Sequence, residues 1–353
     1  MTLSIVIPVY NAEKYLKECL NSIDAMYIPA GVQIEVLLIE NGSTDSSAKL
    51  CDKYAENDGK YKSFHFWNIG AYNARREGMK KASGDYIFFA DADDVMAIGT
   101  IDAVVTYLKN IKGKEDEPEI ILYNAAYLDE RDNMMFDFPF SPGEIYKGEK
   151  KAPFYEAMCQ DDSLNALWNK CIKKSLAQRV TQTDDKAERK HFNHGEDLLQ
   201  TAELLDEASS IVYIDKILYY YRDNSEGLTG SFHEEYLANQ ADAWNAFDDY
   251  AGRWTGGQFE DIISERKTLT CTIAVKSLVF SMLSAKQKKS ELERIMADPF
   301  YDKYALKSLP DWAPEEDVFI HGIMTEDKPF KKLLAFSRNY RLKTKVKKMI
   351  GRS

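Results

Sequence analysis

Two acidic clusters have residue types and spacing that could do chemistry. In "IFFADADDV", residues 87–95, Asp91, Asp93 and Asp94 crowd into four positions behind an apolar run of strand length. Carboxylates this close repel one another, so a cation, a helix end or water must offset the charge. A calcium loop of the EF-hand kind does not fit: counting from Asp91, position six is Met96 rather than Gly and position twelve is Asp102 rather than Glu. Two readings remain. One is a solvated turn in which Asp94 caps the following helix. The other is a strand-end site where one or two carboxylates hold Mg²⁺ or Mn²⁺ together with a phosphate. In the second cluster, "GED" at 195–197, Glu196 and Asp197 open an amphipathic segment; acids at a helix N-terminus are also favoured by the dipole alone. His191 and His194 of "HFNHGED" invite a zinc reading, yet there is no HExxH, no cysteine pair and no fourth ligand at a persuasive spacing. The GxGxxG, Walker A and GxSxG patterns are absent as well.

The elements that must position these clusters alternate in type up to about residue 110. "LSIVIPVY", "QIEVLLIEN", "SFHFWN" and "DYIFFAD" read as strands, while "NAEKYLKECLNSIDAM", a segment opened by Ser43–Ser47, "AYNARREGMKKAS" and 100–112 read as helices. Near-continuous apolar strands alternating with helices predict a largely parallel sheet buried on both faces. Ligands of such sheets bind beyond the carboxyl ends of the strands. Tyr10-Asn11, Glu40-Asn41 and Asp91 to Asp94 all follow strand ends and are expected to converge on one crevice. "EIILYNAAYLD" is a further strand, and 133–165 reads as irregular loops around a cleft. "LNALWNKCIKKSLA" is helical or strand-then-helix, "EDLLQTAELLDEA" a helix, and "SIVYIDKILYYYR" one or two strands. From His233 onward the pattern is helical.

Bulk properties narrow the class. A chain of 353 residues is too long for one small core. A net charge of −11 argues against general nucleic-acid binding. Ten Lys or Arg and no acid lie between Lys328 and Ser353, leaving −21 on the rest. Such a tail suggests an anionic surface as partner, either a membrane leaflet or the acidic body of the protein. Five scattered cysteines without a CxxC pair read as reduced thiols in a cytoplasmic protein. The N-terminus has neither a basic leader region nor a long apolar run, so neither a signal peptide nor a membrane anchor is expected.

Six segments in order resemble the family 2 glycosyltransferases of the GT-A fold. They are "SIVIPVYNAEKYLKECLNSI", "EVLLIENGSTDSS", "NIGAYNARREGMKKASGDYIFFADADD", "LWNKCIKKSL", "GEDLLQTAELL" and "IVYIDKILYYYR" with Ser225, spanning residues 3–232 or so. The resemblance implies an α/β GT-A domain over 1–232, with a nucleotide-sugar half at 1–112 and an acceptor half at 113–232, followed by a helical region at 233–353. It implies an inverting transfer from a nucleotide sugar, a UDP-sugar foremost, to a hydroxyl of a glycan, lipid-linked glycan, wall polymer or glycoprotein, with Mn²⁺ or Mg²⁺. Carried over residue by residue, it makes Asp197 the general base with Glu196 as its substitute. Asp93 becomes the metal ligand, with His233 as a second metal residue or a plain loop histidine. Pro8, Tyr10, Glu40, Asn41, Asn68, Arg75, Asp91 and Ala92 are implied on the nucleotide-sugar side. Asp94 falls to the loop. The sequence departs from the family at "ENGS", where "DDGS" is common; Asn41 can both accept from and donate to a uracil edge, and Glu40 either contacts ligand or faces solvent. For Arg75 the alternative is a surface charge, and this holds more strongly for Arg76. Trp168 matches an acceptor-side aromatic, with a buried core position as the alternative. Rival readings are a nucleotidyltransferase, which would need a Gly-rich, Arg-containing loop after the first strand where this chain has "PVYNAEKYL", and an inactive glycan- or partner-binding relative.

Overall fold

The computed structural model describes residues 1–111, 117–182, 193–224, 232–326, 329 and 331–337. His191, Ser225 and most of the basic tail lie outside them; within the tail, Lys331 and Lys332 are exposed on a helical stretch. The chain divides into two compact units, Met1–Met158 with Asp162–Asp223, and Cys159–Asp161 with Asn224–Ser353.

The first unit is a nine-stranded mixed sheet in the order β3-β2-β1-β4-β8-β6-β9-β5, with β7 also on β9. Its strands are β1 (Thr2–Val9), β2 (Gln33–Glu40), β3 (Tyr61–His65), β4 (Tyr86–Phe89), β5 (Val95–Met96), β6 (Ile120–Tyr127), β7 (Ile145–Lys147), β8 (Lys170–Lys173) and β9 (Ser210–Tyr221). β2, β1, β4 and β3 pair in parallel, and β6 with β9 likewise. β8 runs antiparallel to both β4 and β6 and so joins two parallel halves that share one direction. The helices are α1 (Leu16–Asp24), α2 (Ser47–Asn57), α3 (Gly70–Lys81), α4 (Thr100–Ile111), α5 (Ala152–Gln160), α6 (Lys174–Gln182) and α7 (Glu196–Glu207). This is the α/β arrangement expected from the alternating apolar pattern.

The sheet's apolar strands are buried on both faces, with Ile5, Val36 and Phe88 on one and Val6, Leu37 and Ile87 on the other at 0% exposure. α3 lies so close to the sheet that a Cβ on Gly78 would sit 2.2 Å from Val6 Cγ1. Glycine is what permits this approach.

One sequence expectation needs correction, and two open ones are decided. Residues 133–165 are not wholly irregular: they contain β7, a 3₁₀ turn at Gly148–Lys151 and α5. Aromatic density there comes from an internal stack, in which Phe140 lies 3.9 Å from Phe154 and Phe138 meets Tyr213 edge-on. "LNALWNKCIKKSLA" is strand then helix. "SIVYIDKILYYYR" is one strand whose register against β6 shifts at Asn124, leaving Asp215 and Lys216 exposed. That bulge breaks the apolar alternation and makes one strand read as two.

The second unit is helical: α8 (Tyr236–Thr255), α9 (Glu260–Phe280), α10 (Ala285–Met296), α11 (Pro299–Tyr304) and α12 (Glu315–Met324). α9 is buried along most of its length, and Trp244 of α8 donates to Thr270 Oγ1 at 3.0 Å. Among the described residues no helix is long and apolar enough to cross a membrane.

Candidate active site

The carboxyl ends of β1, β2 and β3 are stitched together by side chains. Asn11, at φ +49°, accepts from Thr44 N through Oδ1 at 2.8 Å, and Ser43 Oγ accepts from Asn11 N. Pro8 and Tyr10 stand on β1 and just past it, Tyr10 exposed at 42%. Glu40 does not face solvent. It is 4% exposed, accepts from Ser43 N at 2.6 Å and meets His65 Nδ1 at 3.2 Å. His65 also contacts Asp52 at 2.7 Å. Burial alone would lower this imidazole, but its bonds to Asp52 and Glu40 outweigh that and raise it above the usual histidine value.

Asn41 is likewise buried, and its Oδ1 accepts from Ile69 N at 2.8 Å. Its carbonyl oxygen therefore already serves the loop before α3, and the amide nitrogen is what it can turn toward a base edge. Gly42, at φ +77°, brings the turn against Asn68, since a Cβ there would lie 2.7 Å from Asn68 N. Asn68 shapes the site through its backbone.

At the end of β4 the three aspartates have three different fates. Asp94 is 2% exposed, and its two oxygens accept from Tyr219 Oη and from Arg222 N, both at 2.7 Å. It is neither a solvated turn nor the cap of α4, which begins only at Thr100. Burial, with the charges of Asp91 and Asp93, pushes it up to about 8. Asp93 is partly exposed, and its backbone oxygen accepts from Arg222 Nε at 2.7 Å. Asp91 is partly exposed too and accepts from Arg75 Nη2 at 3.0 Å, while its amide donates to Tyr219 Oη. Ala92 between them is buried. Asp93 and Asp91, both partly exposed at the strand end, are the carboxylates here that could take a cation, whereas Asp94 is committed to Tyr219 and Arg222.

Arg75 connects this cluster to the second one. It is 5% exposed, so the surface-charge alternative fails, and Nη1 donates to Asp197 Oδ1 at 2.9 Å with Glu196 Oε1 at 3.6 Å. Arg76 is buried as well and pairs with Glu203 of α7. α7 starts after Gly195, at φ +80°, so Glu196 and Asp197 occupy its first turn. Further bonds hold the seam between α3 and α7. Asn193 Oδ1 accepts from Ala71 N, Gln200 Nε2 donates to Tyr72 O, and Tyr72 Oη donates to Glu203. Burial pushes Glu196 up to about 8, the charge of Asp197 adding to it and Arg75 opposing. Asp197 is raised above the ordinary carboxylate range by burial and Asp91, against the pull of Arg75 and Lys170. Its side chain keeps 33% exposure, so it remains reachable.

Three residues of this site gave no sign of a role in the sequence. Tyr219 bridges Asp91 N and Asp94. Arg222, besides holding the "DADD" turn, pairs with Glu18 at 2.6 Å and lies 4.9 Å over the Tyr15 ring. Lys170 is 1% exposed and donates to Leu164 O, Ala166 O and Asn169 Oδ1. Burial brings it down to about 7, with Asp197 opposing. All three sit inside matched segments, but only their contacts in the fold give them a task.

Two further sequence-derived residues are Trp168 and His233. Trp168 is 7% exposed, stacked on Tyr219 at 4.8 Å with Phe136 and Tyr221 alongside. It is a core residue under the site, which corrects the acceptor-side expectation: a ring so covered offers little face to a sugar. His233 belongs to the helical unit, partly buried just ahead of α8.

Residues 4–113 match the family model described as Glycosyl transferase family 2. The chain is 27% identical over 248 residues to glycosyltransferase GlyA of Streptococcus pneumoniae serotype 4, covering 68% of this chain and 33% of that protein. It is 29% identical over 236 residues to glycosyltransferase GlyG of the same organism, covering 63% of this chain and 71% of that one. The chain thus spans about a third of GlyA's length. Among solved structures, S. aureus TarS 1–349 in complex with UDP-GlcNAc superposes with a TM-score of 0.51 at 18% identity, covering 100% of this chain and 93% of that chain. The chain has a GT-A fold, and its residues 4–113 are similar to the glycosyl transferase family 2 domain.

Proposed function

We propose that this protein transfers a sugar from a nucleotide-sugar donor, a UDP-sugar foremost, to a hydroxyl of a glycan, lipid-linked glycan, wall polymer or glycoprotein, with inversion at the anomeric carbon. The observation that carries the proposal is the pairing of two carboxylate clusters through buried Arg75 at the carboxyl ends of the parallel strands. The UDP-GlcNAc bound by the TarS relative supports the choice of donor class.

In this reading Asp197 takes the acceptor's hydroxyl proton. The freed oxygen forms its bond to the anomeric carbon on the face opposite the leaving group, as the sugar–phosphate bond breaks and the nucleoside diphosphate departs. An α-linked donor gives a β product. A carboxylate held above its ordinary range is the better base near neutral pH. Asp91 and the Glu40–Asn41 turn orient the nucleotide. Asp93 would hold Mn²⁺ or Mg²⁺, which stabilises the charge growing on the leaving diphosphate as a Lewis acid. The basic tail would place the enzyme at the inner face of an anionic membrane, each Lys or Arg contributing about 1 kcal/mol.

A thermal-shift panel of nucleotide sugars with Mn²⁺ tests the donor. A shift with one UDP-sugar that disappears in Asp93→Ala is expected. A flat panel for the wild-type chain overturns the reading. For the tail, sedimentation with anionic vesicles should differ between the full chain and one ending at Asp327; equal pelleting removes that part.

A further inference from the structure

We propose that Arg75 is a positioning residue that couples donor binding to the base, by holding the donor-side Asp91 and the base Asp197 with separate nitrogens of one guanidinium. The inference rests on the nucleotide-sugar reading above and goes beyond it, because it makes the two chemical centres interdependent.

The geometry carries it. Nη2 is committed to Asp91 at 3.0 Å and Nη1 to Asp197 at 2.9 Å, with Glu196 next in line at 3.6 Å. One buried cation thus serves three acids drawn from two different elements. Arg75 has little freedom to serve them in turn, since α3 is fixed to β1 at Gly78, to Asn193 through Ala71, and to α7 through Tyr72 and Arg76. The planar fork can span two carboxylates at once, which a lysine ammonium on a flexible stem cannot do in the same way. A diphosphate arriving at Asp91 competes for the same guanidinium hydrogens. What it draws from Nη1 is withdrawn from Asp197, which frees the base when a donor is present. Linkage makes the effect reciprocal: a change at Asp197 must alter affinity for the diphosphate.

The test is the affinity for UDP with Mn²⁺, by calorimetry, in the wild-type chain, Asp197→Asn, Arg75→Lys and the double variant. Releasing Nη1 should tighten UDP binding by about 5-fold or more in Asp197→Asn, within the usual span of coupling effects. With Lys at position 75 the same change should alter the affinity by less than about 2-fold, because there is no fork left to release. Equal effects of Asp197→Asn in both backgrounds overturn the coupling while leaving the donor reading intact. Failure of the wild-type chain to bind UDP instead overturns the donor reading, and the coupling falls with it. Should Arg75→Lys not fold, Asp91→Ala replaces it: cutting the other arm should also erase the Asp197→Asn effect, and its persistence overturns the proposal.

Discussion

The two ends of the sheet both bury carboxylates, but they treat them in opposite ways. At the amino end each acid has its own partners. Glu35, near the start of β2, accepts from Ser4 Oγ, Lys62 Nζ and Ser83 N, all at 2.6 Å. Burial alone would raise it, but those bonds win and hold it down at about 2. Glu119, just before β6, takes both Arg179 nitrogens and the Ser209 amide and is likewise lowered. At the carboxyl end Asp91, Glu196 and Asp197 share Arg75, and Asp94 relies on a tyrosine and a backbone amide. There burial and mutual repulsion win, and Asp94, Glu196 and Asp197 are all raised. A satisfied buried acid is a structural device. Acids left short of cations are stable only at a cost, and such shortages concentrate at functional sites.

The strongest way to break this contrast is to exchange the consequences of two mutations. Asp197→Asn should lower turnover by about 10²–10⁴-fold while leaving the melting temperature unchanged or higher, because it removes a charge from a crowded cluster. Glu35→Ala should do the reverse. It strands a buried serine hydroxyl and an amide, costing about 3 kcal/mol of stability, while turnover below the melting temperature stays within about 2-fold of wild type. Loss of activity in Glu35→Ala without loss of stability would erase the distinction.

A second prediction concerns pH. Glu35 has a folded value of about 2 against an ordinary 4.5, so its contribution is complete above that ordinary value and is lost as the pH falls through about 2. Asp94 and Glu196 run the other way. With folded values of about 8, their contribution is complete below the ordinary carboxylate range and is lost as the pH rises through about 8. Melting temperature should therefore decline between about pH 5 and pH 9, and Glu196→Gln should flatten that decline. An equal slope in the variant contradicts the assignment.

A smaller effect sharpens the same comparison within the carboxyl end. Tyr219→Phe removes the hydroxyl that accepts from Asp91 N and donates to Asp94. The expected loss is about 1–3 kcal/mol of stability by denaturant unfolding, since a buried carboxylate and amide lose a partner. Affinity for a nucleotide sugar should weaken only modestly, because Asp91 keeps Arg75.

Much of the amino-terminal half was legible in the sequence. Continuous apolar runs gave β1, β2 and β4, and the polar residues behind them marked the crevice, because a parallel sheet leaves nowhere else for them. Asp91, Arg75 and Asp197 were each visible as single residues, yet their joining through one guanidinium was not. That contact spans 122 residues between Arg75 and Asp197 and depends on how α3 meets α7. For Asp94 the sequence leaves a cap and a loop residue open, because its cover comes from Tyr219 of β9 and from Arg222 just past it, 125 and 128 positions away. Trp168 misled for a related reason: an aromatic beside a polar pair fits a sugar platform and a core stack equally well, and Tyr219 fills the face. Residues 133–165 hid α5 because prolines and aromatics obscured a helix of nine residues.

Asp197 is the proposed base in a transfer from a nucleotide sugar. The most direct measurement follows a UDP-sugar by NMR with Mn²⁺ and acceptor, comparing the wild-type chain with Asp197→Asn. We expect UDP release and a β-linked product from an α-linked donor in the wild type, and a rate about 10²–10⁴-fold lower in the variant. An α-linked product, or equal rates in the two chains, would contradict the account.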